Sequence, residues 1–134
     1  MIAKYLFVSS LVAYGIACFS PAFVGAEDPK FNYTGLGALL TGIFSFFFSA
    51  IAFAAWSSNT LYAATIITSF VTNKGKVTLI VLMVIAILLS LTAFGVDKLL
   101  VNEAGTTTPV KIGIGFWFWL LSYIIMLFYV IFKP

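Results

Sequence analysis

Histidine and arginine are absent from this chain, and cysteine occurs once. The lack of imidazole removes the commonest general base and the usual ligand for zinc or haem, so no catalytic residue, metal or cofactor is expected. The lack of guanidinium removes the planar fork that grips phosphate from two sides, which argues against nucleic acid as a partner. Cys18 has no second cysteine to pair with and no basic neighbour to make it a thiolate. Gly15, Ile16 and Ala17 before it lack the leucine usual three positions upstream of a lipid-acceptor cysteine, so it is read as a small packing residue. No glycine-rich phosphate loop or nucleophile elbow is present; Gly113, Ile114, Gly115 opens an apolar run, not a nucleotide-binding turn.

Charge is scarce as well. Only 8% of the 134 residues are charged, where an average soluble domain carries about 25%. The seven lysines and four acids all lie at chain ends or in short polar seams. No Asp, Glu or Lys is left inside an apolar stretch to build a proton relay or an ion site at depth.

What fills the chain is apolar: 63% of it is hydrophobic, in four stretches over residues 5–23, 35–71, 77–96 and 112–132. About 20 apolar residues cross the roughly 30 Å hydrocarbon core of a bilayer, so four crossings nearly use up the length. The expected fold is therefore all-α: one transmembrane domain over residues 1–134, a four-helix bundle with short loops. Residues 1–26, in which the first span is placed at 4–24, have a second reading as a secretory signal, with Val24 and Ala26 small enough to precede a cleavage point. Their 19-residue apolar run exceeds the ordinary signal core of roughly 7 to 15, which favours a retained first span.

Charge placement gives the orientation. Lys4, the pair Lys74 and Lys76, and Lys133 alternate with seams that hold all four acids, Glu27, Asp28, Asp97 and Glu103. The positive-inside bias then places both termini in the cytoplasm. Residues 35–71 would run about 55 Å as one helix, too long for one perpendicular crossing and too short for two. The polar cluster Ser57, Ser58, Asn59 divides them into a span over 35–56 and an interfacial extension over 60–72, turning back at Lys74, Gly75, Lys76. The remaining spans are placed at 77–96 and 112–132. Trp117 and Trp119 at one end of the last span, Tyr129 at the other, and Trp56 at the end of the second are read as interfacial anchors, since amphipathic rings favour the headgroup level.

Helices in lipid gain little hydrophobic energy by touching, so small residues that permit close approach mark where they pack. Gly35, Gly37 and Gly42, then Ser45 and Ser49, then Ala50 and Ala54 keep one side of the second span slim, while Phe44, Phe46, Phe47 and Phe48 make the other bulky. That bulky side is expected to meet membrane lipids, another integral membrane subunit, or a second copy of the chain. The leading expectation is a non-enzymatic accessory or assembly subunit of a larger membrane complex. The alternative is a homo-oligomeric channel or small-solute carrier lined by hydroxyls such as Ser9, Ser10, Thr41, Ser45, Ser49, Ser90, Thr92 and Ser122. A third is an immunity or regulatory protein that uses the loops around Lys30 and Glu103.

Four pieces carry a resemblance: FAAWSSN at 53–59, LSL at 89–91, NEAG at 102–105 and GIGFWFWLLS at 113–122. With them, about half of the chain resembles a group of small, uncharacterised four-span bacterial inner-membrane proteins, although Thr60 stands where that pattern has a proline. The resemblance implies the four-span fold and an inner-membrane address, with no activity attached.

Overall fold

A computed structural model of the chain describes residues 2–28, 30–71, 75–100 and 105–134. Helix α1 (Ile2–Phe19) stops just before Pro21, whose ring biases the preceding residue towards extended backbone. Pro21 instead opens strand β1 (Pro21–Gly25), and β2 (Asn32–Thr34) returns antiparallel to it. Thr34 caps helix α2 (Gly35–Thr41) by accepting the Gly37 N–H at 3.1 Å, and a 3-10 segment (Gly42–Phe47) continues it. Then come α3 (Ala50–Val71), α4 (Lys76–Leu91) with a closing 3-10 turn (Thr92–Gly95), β3 (Lys98–Leu100), β4 (Thr107–Ile112) and α5 (Ile114–Phe132). Among the described residues four helical segments are long and apolar enough to cross a membrane: α1, α3, α4 with its 3-10 turn, and α5.

The all-α expectation needs correcting. The seams read as short loops are strands, joined in one four-stranded antiparallel sheet of order β2-β1-β4-β3. Phe23 of β1 pairs with Tyr33 on one side and Ile112 on the other, and Leu99 pairs with Thr108. The Ala26 N–H donates to Pro109 O and the Gly113 N–H to Ala22 O, so the connection after α1 is stitched to the connection before α5. Phe23, Val96 and Val110 seat the sheet on the helical core around Met83, Ala86, Phe116 and Met126. Residues 1–26, which had the second reading as a signal, thus supply α1 and the strand that joins β2 to β4.

At the opposite end Phe7 of α1 packs against Tyr129 of α5, centroids 5.1 Å apart, and edge-on against Phe70 of α3 at 5.4 Å. The start of α1 and the ends of α3 and α5 therefore lie together, away from the sheet. Around the bundle α1 packs on α5, α5 on α4, and α4 on α3.

The division of residues 35–71 also differs from expectation. The break falls at Phe48–Ser49, not at Ser57, Ser58 and Asn59, which sit inside α3. Ser49 starts the new helix by accepting the Ala52 N–H on Oγ, 3.1 Å, in the manner of an N-cap. Ser57 and Ser58 do not interrupt α3 because their hydroxyls donate back to the carbonyls of Phe53 and Ala55. The piece long enough to cross is thus α3, 22 residues or about 33 Å, and the shorter piece precedes it. Of the expected Lys74–Gly75–Lys76 turn, Gly75 has φ 97, while Lys74, like Thr72 and Glu103, lies outside the described residues.

Candidate docking face and polar interior

Inside the bundle α1 and α3 are joined by side chains more than by close backbones. Tyr14 of α1 stacks on Tyr62 of α3 at 4.8 Å and 12°, and Tyr62 stacks on Tyr123 of α5 at 5.0 Å. Their hydroxyls converge on a few polar partners. Tyr14 and Tyr123 both donate to Asn59 Oδ1, at 2.6 and 3.1 Å, and the Asn59 amide donates to Trp56 O at 2.9 Å. Trp119 Nε1 donates to the Tyr123 oxygen, and Ser58 Oγ lies 3.1 Å from it. One turn nearer the termini, the single Ser10 hydrogen goes to Ser122 O, so across the 2.7 Å contact Tyr62 must be the donor to Ser10. Among the described residues no buried side-chain polar atom lacks a partner.

This cluster ties three spans together where interhelical hydrogen bonds supply what hydrophobic burial cannot. The crevice beside it, lined by Tyr14, Ala17, Cys18, Gly35, Asn59 and Trp119, has room for about one water molecule. No group of three or more His, Cys, Asp or Glu able to hold a metal is found among the described residues. The sequence reading missed Tyr14, Tyr62 and Tyr123. Their signal was available: a tyrosine in the middle of an apolar run, far from the headgroups, needs an internal partner for its hydroxyl.

The residues picked as a packing face divide into two roles. A Cβ on Gly35 would collide with the Ala17 carbonyl oxygen, so this glycine lets the start of α2 lie against the end of α1. A Cβ on Gly42 would enter the Trp56 indole, whose Nε1 donates to Leu39 O at 2.9 Å. Ser45 bonds Gly42 O, Ser49 caps α3, Ala50 is exposed and Ala54 half-buried. Gly35 thus seats the segment Gly35–Phe47 on the end of α1 and Gly42 seats it on the first turns of α3. The segment begins at the sheet and ends beside the turn after α4, where Thr92 Oγ1 lies 3.2 Å from Ile51 O. Both its ends are therefore at the sheet end of the bundle, and its length of roughly 20 Å would not cross a bilayer.

The bulky residues of that segment point away. Phe46 is 64% exposed and Phe47 73%, and Leu40, Ile43, Phe44 and Phe48 are exposed beside them. Phe46 meets Phe47 edge-on at 5.5 Å and Phe53 of α3 at 5.2 Å.

Of the four expected anchors, Trp117 is exposed near the start of α5, and Trp56 and Tyr129 are half-buried against Leu39 and Phe7. Trp119 is a correction: it is 8% exposed and belongs to the polar interior. Two residues on from Trp117, it faces the opposite side of the helix, so a run of aromatics cannot all lie in one interfacial belt. Of the hydroxyls considered for a pore, Ser10, Thr41, Ser45, Ser90, Thr92 and Ser122 each donate to a backbone carbonyl, while Ser9 is exposed on the outside of α1.

The chain matches no protein-family model, no curated protein sequence and no solved structure.

Proposed function

We propose that this chain is a non-enzymatic accessory or assembly subunit of a larger membrane complex, docked against another integral membrane subunit through the phenylalanine-bearing segment Gly35–Phe47. The bacterial inner membrane, with both termini in the cytoplasm, is part of the same proposal and rests on the charge pattern and the four-span resemblance. One observation carries it: a segment fixed in place by Gly35, Gly42, Trp56 and Ser49 leaves its large side chains outside the core it is attached to. An apolar shelf of this kind suits contact and close fitting. The reading of the chain as a hydroxyl-lined channel has less support, since the inward hydroxyls are engaged with backbone.

The test is purification in mild detergent followed by native mass spectrometry. Another integral membrane chain should co-migrate with the protein and be lost from the Phe46→Ala/Phe47→Ala variant. A chain that runs alone as a monomer, with nothing co-migrating, overturns the proposal. Retention of the partner by the double variant moves the docking face elsewhere.

A further inference from the structure

Among the described residues, the charged side chains at the end of the bundle opposite the sheet are all of one sign. The four acids all fall in the two connections that hold the strands, whereas Lys4 opens α1, Lys76 opens α4 and Lys133 comes directly after α5. Two of these lysines bind the frame in a defined way. Lys133 Nζ donates to Ser69 O near the end of α3, 2.5 Å, and Lys76 Nζ donates to Lys133 O, 3.1 Å. An ammonium has three hydrogens and each carbonyl takes one, so two remain on each nitrogen for an anion. No ion pair engages either ammonium among the described residues; Lys76 is exposed and Lys133 half-buried.

The depth and the surroundings indicate which anion. Tyr5 and Tyr129 sit at this same end of α1 and α5, the kind of ring that settles at the headgroup level. At the same ends of α3, α4 and α5 the apolar side chains of Phe70 (72% exposed), Val71 (79%), Val77 (75%) and Phe132 (59%) are uncovered, a surface that acyl chains would cover and a soluble anion would not. We propose that Lys76 and Lys133 form a binding site for the phosphodiester headgroup of an anionic membrane lipid, at the junction of α3, α4 and α5. The site rests on the four spans and is independent of the docking proposal.

The test uses the full chain in a neutral detergent, titrated with phosphatidylglycerol or with phosphatidylcholine of the same acyl chains and read by native mass spectrometry. Phosphatidylglycerol should bind in preference. Lys76→Gln and Lys133→Gln keep a donor for the two carbonyls and remove the charge, so the folded bundle is retained while affinity falls about fivefold for each, about 25-fold for the pair. Lys98→Gln/Lys111→Gln, at the sheet end, should leave the preference intact. Equal binding of the two lipids, an undiminished preference in the Lys76/Lys133 pair, or an equal loss in the sheet-end pair would overturn the site. So would inorganic phosphate occupying it in place of the lipid.

Discussion

The interior of this bundle and its phenylalanine shelf lie next to each other and obey opposite rules. In the interior, polar atoms are buried and paired: Asn59, Ser58, Ser10 and Ser122 join α1, α3 and α5 through Tyr14, Tyr62 and Tyr123. On the shelf nearly every large side chain is apolar and turned outward. In water that assignment would be backwards. In hydrocarbon it is expected, because lipid tails solvate phenylalanine as well as a protein core does, whereas a hydroxyl there has only protein to bond to. The difference teaches that polarity, not apolarity, reports the inside of this molecule.

Removing Asn59 should break the comparison most. Asn59→Leu deletes the shared acceptor of two phenolic hydrogens, Tyr14 at 2.6 Å and Tyr123 at 3.1 Å. Tyr123 can turn to Ser58 Oγ at 3.1 Å, but among the described residues no second partner is seen for Tyr14. A loss of about 2 kcal/mol is expected from one orphaned donor and one displaced bond. Unfolding in detergent by a denaturing surfactant would measure it. No loss on substituting leucine would mean that the polar interior contributes nothing to holding the spans together.

Tyr62→Phe is the finer cut. The ring keeps its stacks at 4.8 and 5.0 Å, and only the hydrogen bond to Ser10 goes. Ser10 still donates to Ser122 O, so nothing is left unpaired and the cost should be about 0.6 kcal/mol, the usual size of an interhelical hydrogen bond in a membrane protein. The same unfolding assay checks it. A loss as large as that of Asn59→Leu would show that the tyrosine ladder acts as one unit.

How far the sequence reaches depends on the same division. That four helices are long and apolar enough to cross is legible because composition and length decide it, although the bounds of the second are not. The sheet is not, because β1 begins inside an apolar run and the strands are only three to six residues long, too short for alternation to stand out. Ser57, Ser58 and Asn59 imitate a surface break because a polar cluster looks the same in sequence whether it meets water or a tyrosine from another helix. The true break, at Phe48–Ser49, has neither proline nor glycine, only a serine able to cap α3. Gly35 and Gly42 are legible as points of close approach, but the partners they approach, the end of α1 and an indole, depend on the tertiary fold.

The shelf should give the smallest effect on stability, and that smallness is the informative part. Phe46→Ala/Phe47→Ala removes two rings that are 64% and 73% exposed and meet Phe53, Phe48 and each other. Detergent tails fill the space in folded and unfolded chain alike, so the transfer term nearly cancels and the change should stay within about 0.5 kcal/mol. A loss above about 2 kcal/mol, measured beside the Asn59 variant, would make these rings part of the core and remove the reason to expect a partner there. A neutral result joined to loss of a co-purifying subunit would separate docking from folding, because the same two substitutions would then abolish an interaction without loosening the molecule that makes it.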